Sequence, residues 1–235
     1  MIINCVWEHN GDDSILYADN FVGAFTRGAS KEEAMRKMPE EIRRFQLWLG
    51  ETPPDDYDIK IVQEKESGLQ IRDADSDVLF TTEKEPLGVE EYQYLKSLAM
   101  KSAEDFYLLY SSFPEKHKSA LPVRKTFYGS VPRTAEEMYQ HTKNVNEYYF
   151  SEIGLEADNE GTIVSCRARG FEALESIPGY LSLETVTGSY DEQWSVRKVL
   201  RRFIWHDRIH AKAMYRMGVL TFGADIIPDI FKFAR

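Results

Sequence analysis

The chain has 235 residues, of which 43% are hydrophobic and 29% are charged, so it can fill the core of one large domain or two small ones. Its net charge of −10 repels the phosphate backbone and disfavours direct binding to nucleic acid. No apolar run approaches the roughly 18 residues of a membrane-spanning helix, and the N-terminus lacks a signal-peptide pattern. Cys5 and Cys166 lie far apart and form no metal or redox motif. We therefore expect a cytoplasmic protein with no membrane partner.

Residues 1–85 carry most of the negative charge, with 10 basic and 19 acidic side chains, and are predicted to form a separate small domain. Ser30-Lys-Glu-Glu33 is a capping box, and the apolar residues after it recur at helical spacing as far as Leu49. Runs typical of strands lie on both sides of this helix, and they are Ile2–Trp7, Ser14–Thr26, Tyr57–Val62, Leu69–Arg72 and Val78–Thr81. The expected class is an α+β domain that begins β-β-α-β.

The segment from Tyr17 to Ala34 combines an extended run, a small-residue turn, a helix cap and a Glu-Ala pair that opens the helix. This pattern resembles the HicB-like antitoxin fold over roughly residues 1–70. The resemblance implies a packing or interaction module that contacts a partner, rather than a catalyst.

Three aspartates form an acidic turn, Asp73-Ala-Asp75-Ser-Asp77, which has the opening spacing of a calcium-binding loop. An EF-hand loop needs glycine at its sixth position and glutamate at its twelfth, where this chain has Val78 and Lys84. We therefore expect a solvated hairpin connection rather than a calcium site.

Helical periodicity dominates from Gly88 onward, and residues 86–235 are predicted to be an all-α four-helix bundle. One long helix ends before Pro114 and is followed by an irregular segment to Arg133. A second helix opens at the capping box Thr134-Ala-Glu-Glu137 and continues to about Phe150. The remaining predictions are a helix over about Cys166–Glu175, a loop or hairpin over Leu181–Tyr190, and a last helix from about Ser195 to Met217 that Gly218 would end.

The last helix carries the pair His206 and His210, whose spacing of four places both imidazoles on one helical face. Apolar residues flank them in a 4-3-4 pattern, which predicts that this face turns toward the core. His141 occupies the inward face of the second helix in the same way. A single inward histidine is usually satisfied by a hydroxyl or carbonyl, but three are most simply satisfied by one metal ion. A metal-free, hydrogen-bonded cluster is the other arrangement open to them.

Two segments carry a second resemblance: Thr134–His141, and Trp194-Ser-Val-Arg-Lys-Val-Leu-Arg-Arg-Phe-Ile-Trp-His-Asp-Arg-Ile-His210. They look like the second and closing helices of the DinB superfamily, over roughly residues 86–235. The resemblance implies a divalent metal held by His141, His206 and His210. It also implies a hydrolase, or a transferase or isomerase that uses a low-molecular-weight thiol, and a homodimer is expected from resemblance alone.

A three-histidine site makes bound water acidic and converts a bound thiol to thiolate, and either can serve as a nucleophile. We expect a metal-dependent enzyme acting on a small-molecule substrate, with zinc, nickel, iron or copper as the metal. Tyr148 shares the face of His141 and is the candidate substrate-binding residue, whereas Glu137 is better explained as a helix cap. The alternative is a non-catalytic metal-binding or sensing protein whose HicB-like domain meets a partner.

Overall fold

The computed structural model describes residues 1–126 and 129–234. A four-stranded sheet with one helix is followed by a largely helical chain, so the mixed α and β character agrees with the sequence. Residues 127 and 128, in the predicted irregular segment, and residue 235, at the end of the predicted helical domain, lie outside the described residues. Within the described residues, no helix is both long and apolar enough to cross a membrane.

The N-terminal sheet has the strand order β3-β2-β1-β4, and its elements are β1 Ile2–His9, β2 Ser14–Ala18, β3 Phe25–Gly28, α1 Lys31–Leu49 and β4 Asp58–Glu66. Neighbours β1, β2 and β3 are antiparallel, whereas β4 returns parallel to β1 after the helical crossover. Ser30 caps α1 by accepting a hydrogen bond from the amide of Glu33 at 3.2 Å, and Glu33 accepts one from the amide of Ala29 at 3.0 Å. The cap at Ser30 is therefore confirmed, but the capping box is incomplete, because Glu33 binds the amide of Ala29 rather than that of Ser30.

The predicted order β-β-α-β is wrong by one strand, because the sequence from Ser14 to Thr26 folds as two strands. The amide of Ala18 donates to the carbonyl of Ala24 at 3.0 Å, which closes a tight turn between them. Gly23 lies in this turn with φ of +100°, and a Cβ atom there would come within 2.2 Å of Ile204. The turn thus requires glycine both for its backbone and for close packing on the last helix.

Two further predicted strands, Leu69–Arg72 and Val78–Thr81, are also wrong, since short 3₁₀ helices occur instead at Ile71–Asp73 and Thr81–Lys84. Their apolar side chains contact the face of the sheet that α1 does not cover. The alternation of apolar residues in these two segments is typical of a strand. Here, however, the apolar side chains are buried because the segments pack on the face of the sheet, and not because they pair with its edge.

The described part of the remaining chain contains five helices and two short antiparallel strand pairs, and these elements are α2 Val89–Ser111, β5 Lys125–Thr126, β6 Gly129–Ser130, α3 Ala135–Lys143, α4 Val145–Ser151, α5 Ile163–Glu175, β7 Val186–Thr187, β8 Gln193–Trp194 and α6 Val196–Phe222. Two further 3₁₀ helices cover Tyr180–Ser182 and Ser189–Asp191. The helix predicted from Thr134 to Phe150 is interrupted at Asn144, and α6 passes through Gly218 to a cap at Gly223. Gly218 serves close packing, since a Cβ there would lie 2.6 Å from Phe113.

The helix α6 contacts α2, α3 and α4 and also the N-terminal part. Trp205 packs edge-on against Tyr17 and Phe25 of the sheet, with ring centroids 5.9 and 6.2 Å apart. A single apolar cluster contains residues of the sheet, α1 and the later helices. The division into domains 1–85 and 86–235 stays a prediction, and the two parts share a core.

Buried ion pairs surround α6 on the faces that do not carry its apolar seam. Asp207 pairs with Arg167 of α5, and both side chains are completely buried. Arg201 pairs with Glu83, and Arg208 pairs with Glu41 of α1 at 2.8 Å. In the sequence, Arg201, Asp207 and Arg208 fall outside the apolar stripe of α6 that contains the two histidines. In the structure, the N-terminal part and α5 bury them.

Replacing Asp207 by Asn keeps the shape of the side chain but leaves Arg167 as a buried charge without a counter-ion. We expect a loss of about 3–5 kcal/mol in the free energy of unfolding, measured by urea denaturation. The control is Lys118→Ala, which removes an ion pair with Glu115 whose side chains are 56% and 63% exposed and should cost no more than about 1 kcal/mol. Equal effects of the two substitutions would contradict this account.

Candidate metal centre

Three histidines converge where α3 meets α6. The ring centroids of His206 and His210 are 4.4 Å apart, and that of His141 lies 5.3 and 4.6 Å from them. One nitrogen from each ring can be chosen so that all three lie within 4.8 Å of one another, a set that could hold a metal ion. Ligands 2.0–2.1 Å from a tetrahedral metal stand about 3.3 Å apart, so nitrogens as far apart as 4.8 Å would need to approach by about 1.5 Å to complete the geometry.

The local sequence explains how the two helices present these rings. The α3 capping box is confirmed, because the amide of Glu137 donates to the Thr134 hydroxyl at 3.1 Å while the amide of Thr134 donates to the Glu137 carboxylate at 3.1 Å. Glu137 is therefore the cap that the sequence predicted. His141 follows one turn later and is exposed, so the prediction that it faces the core is wrong, whereas His206 is buried and His210 is half-buried. The three rings form a site that opens toward solvent at His141.

Desolvation favours the neutral form of all three imidazoles. Desolvation lowers the pKa of His141, and it lowers the pKa of His210 to about 3. Desolvation, followed by the neighbouring His210 and His141, holds the pKa of His206 well below its usual 6.5. Neutral imidazole is the form that binds metal, so the site has its ligands in the required protonation state.

One ring nitrogen of this cluster lacks a partner. Among the described residues, Nδ1 of His206 is buried and accepts or donates no hydrogen bond. A buried polar atom left unpaired costs free energy, which makes such atoms uncommon in folded proteins. The residues present therefore fit a cation: three neutral nitrogen donors converge, and the most buried ring has an unsatisfied atom.

A cavity of about 190 Å³ adjoins the histidines. Its remaining wall residues come from α6, from α4 and from the N-terminal part, and they are Arg202, Trp205, Ile209, Tyr149, Asp73, Ala74 and Asp75. Tyr149 meets His206 edge-on at 5.9 Å, whereas Tyr148, the tyrosine that the sequence favoured, packs against Trp194 at 6.1 Å. A role for Tyr148 in binding substrate stays a prediction, and Tyr149 is the tyrosine that lines this cavity.

The acidic turn forms part of the cavity wall and is not the solvated hairpin connection that the sequence predicted. Asp73 and Asp75 are half-buried, and Asp73 pairs with Arg124 at 3.3 Å. Buried Glu8 anchors the turn by accepting hydrogen bonds from the Ser76 hydroxyl at 2.5 Å and from the amide of Asp77 at 3.2 Å. The N-terminal part thus supplies one side of the site, which no motif in the sequence indicated.

The other two histidines do not join the cluster. His9 stacks on Trp7 with centroids 3.9 Å apart and lies 3.2 Å from Glu64, and His117 is exposed. Arg202 was not identified as a site residue from the sequence. Its position could have been found from the spacing, because Arg202, His206 and His210 follow one another at intervals of four.

Comparison of this chain with protein-family models, with curated proteins and with solved structures gave no match.

The histidine cluster predicts a pH dependence for the stability of the metal-free protein. In the folded state His206 and His210 stay neutral below pH 6.5, whereas in the unfolded chain both take up a proton. The unfolded state therefore binds more protons, and the free energy of unfolding falls as pH falls from 6.5, continuing for His210 to about pH 3. Each histidine contributes up to about 1.4 kcal/mol per pH unit in this window.

The measurement is urea unfolding between pH 5 and 6.5 after dialysis against a chelator. The double variant His206→Gln, His210→Gln should show a shallower slope of unfolding free energy against pH than the wild type. Two superimposable slopes would contradict the burial of neutral imidazoles.

Proposed function

We propose that this protein is a metal-dependent enzyme acting on a small molecule, with one divalent cation held by His141, His206 and His210. The observation that supports it is the convergence of three neutral imidazoles beside a cavity that opens toward solvent. Structural zinc sites use four protein ligands, whereas catalytic sites use three and keep one position open. A three-ligand set with an adjoining cavity favours chemistry over a purely structural role.

When bound, the cation supplies Lewis acidity, which lowers the pKa of a coordinated water or thiol. The residues of the chain itself partly shield the cation site from water. Trp205, Ile209 and Tyr149 line the cavity and limit access of bulk water to the rings. The reaction class within the proposal is hydrolysis, or group transfer or isomerisation that uses a low-molecular-weight thiol. The metal is zinc, nickel or iron, since imidazole suits each.

The family and the bundle belong to the same proposal. We take α2, the broken helix α3–α4, α5 and α6 as the four members of a DinB-like bundle. Contacts of α2 with α5 and α6, of α3 with α6, and of α4 with α5 support that arrangement. The HicB-like character of the N-terminal part is likewise proposed, and its place at the cavity wall gives it a role in shaping the site. A cytoplasmic setting is supported by two buried, free cysteines, Cys5 and Cys166.

Metal binding is the first test. Wild-type protein freed of metal and titrated with Zn²⁺ or Co²⁺ should bind one ion per chain, as followed by calorimetry or by the cobalt spectrum. Removing a residue that only supports a ligand weakens metal binding about 10- to 100-fold. His206→Ala and His141→Ala each remove a ligand itself, so we expect a larger loss of affinity from each. His117→Ala is the matched control and should bind as the wild type does. Unchanged affinity in His141→Ala would remove that residue from the ligand set.

Activity is the second test. Metal-loaded wild type and His206→Ala should be screened for ester and amide hydrolysis and for transfer of small thiols to electrophiles. We expect turnover by the wild type that falls by at least about 100-fold in the variant, since the reaction depends on the cation. Stoichiometric metal binding without turnover in any assay would instead favour the metal-binding or sensing function.

A further inference from the structure

Arg202 extends the line of site residues along α6. It precedes His206 by four residues, as His206 precedes His210, so the three side chains lie one above another on one helical face. Cβ atoms at this spacing stand about 5–6 Å apart. All three residues line the same cavity. A molecule of a few atoms can therefore reach both the histidine cluster and the arginine.

Arg202 differs from the other buried bases of α6 in having no carboxylate partner. Lys198 pairs with Glu192 at 2.8 Å, and Arg201 and Arg208 have carboxylates of their own. Arg202 is only 9% exposed and forms no ion pair within 4 Å among the described residues; Glu192, which pairs with Lys198, acts on it only from a greater distance. Its guanidinium is always charged, and burying such a charge without a close counter-ion costs several kcal/mol.

The contacts that Arg202 does make leave hydrogen-bonding capacity unused. Nη1 donates to the carbonyl of Ser76 at 3.1 Å, and Nε is buried without a partner among the described residues. Aromatic rings surround the group, with Tyr149, Trp194 and Trp205 between 5.1 and 5.6 Å from its central carbon. Rings stabilise the positive charge but accept none of its in-plane hydrogen bonds.

We propose that Arg202 binds the carboxylate of a small substrate whose other end reaches the histidine-held cation. This inference rests on the proposed function and adds the substrate class to it. A guanidinium presents a planar set of donors that matches a carboxylate, and such charge-assisted pairs are the strongest hydrogen bonds that proteins make. Arg202 is thus a specificity-determining residue for a small acid.

The charges around the cavity agree with an anionic ligand. Asp73 already pairs with Arg124, so Asp75 is the cavity carboxylate for which no ion pair is found within the described residues. With a divalent cation bound, the positive charge of the cation and Arg202 exceeds that of Asp75. The cavity of about 190 Å³ has room for a short acid.

The test uses Co²⁺-loaded protein and four small thiols, followed by the thiolate-to-cobalt absorption band at constant pH. The thiols are 3-mercaptopropionate, 2-mercaptoethanesulfonate, neutral 2-mercaptoethanol and cationic cysteamine. In the wild type, we expect 3-mercaptopropionate to bind at least about tenfold more tightly than 2-mercaptoethanol and cysteamine to bind more weakly than either. Tighter binding of the sulfonate than of the carboxylate would overturn the assignment of a carboxylic acid.

Arg202→Gln should remove the preference for 3-mercaptopropionate over 2-mercaptoethanol and leave Co²⁺ affinity unchanged within about threefold. Comparing the ratio of the two affinities between wild type and variant cancels the differing intrinsic basicity of the thiols. Arg202→Lys keeps the positive charge and should retain part of the preference for 3-mercaptopropionate. This variant is the substitute test if Arg202→Gln does not fold. Cobalt binding by the wild type without any preference for the acid would overturn this inference alone. Failure of the wild type to bind cobalt would overturn it together with the proposed function.

Discussion

The placement of α6 is fixed by charges that it buries on several sides. Asp207 needs Arg167, Arg201 needs Glu83, and Arg208 needs Glu41, and these partners lie on α5, on a 3₁₀ helix and on α1. Leaving one buried charge unpaired costs about 3–5 kcal/mol, a large part of the stability of a domain. Only one rotation and one height of α6 satisfy all three pairs together. His206 and His210 inherit their direction from that constraint, because Asp207 and Arg208 lie between them in the chain.

The same constraint joins the N-terminal part to the histidines. Glu83 and Glu41 belong to that part, and Ser76 within it accepts a hydrogen bond from Arg202. Glu8 in turn holds Ser76, and desolvation raises the pKa of the Glu8 carboxyl despite that hydrogen bond. The acidic turn is therefore held at Ser76 by both α6 and the sheet. A site that would be open on this side in the helices alone acquires a wall.

Local signals predicted the parts of the structure that depend on local physics. Both predicted helix caps formed, at Ser30 and at Thr134, because the cap side chain and the amide that it binds are three residues apart. The histidine triad followed from helical periodicity. The buried charges of α6 could not be predicted in this way, since a charged stripe is usually solvated and Arg208 lies 167 residues from its partner Glu41. Likewise, the apolar alternation near Ile71 and Phe80 correctly predicted that these side chains are buried. It could not distinguish a strand from an irregular segment that packs on the face of a sheet.

Pairing separates two kinds of charge on α6. Arg201 and Arg208 pair with carboxylates and are explained by folding, although each also has buried nitrogen atoms without a hydrogen bond. Arg202 has no ion pair within 4 Å, and Nδ1 of His206 has no hydrogen-bond partner, among the described residues. Unmatched buried groups lower stability, and a ligand that binds only the folded state restores it. Under the proposed function, the cation would also join α3 to α6 through His141, the most exposed of the three rings. Occupation of the site and the docking of α3 would then be a single linked equilibrium, in which folding free energy contributes to the affinity for metal.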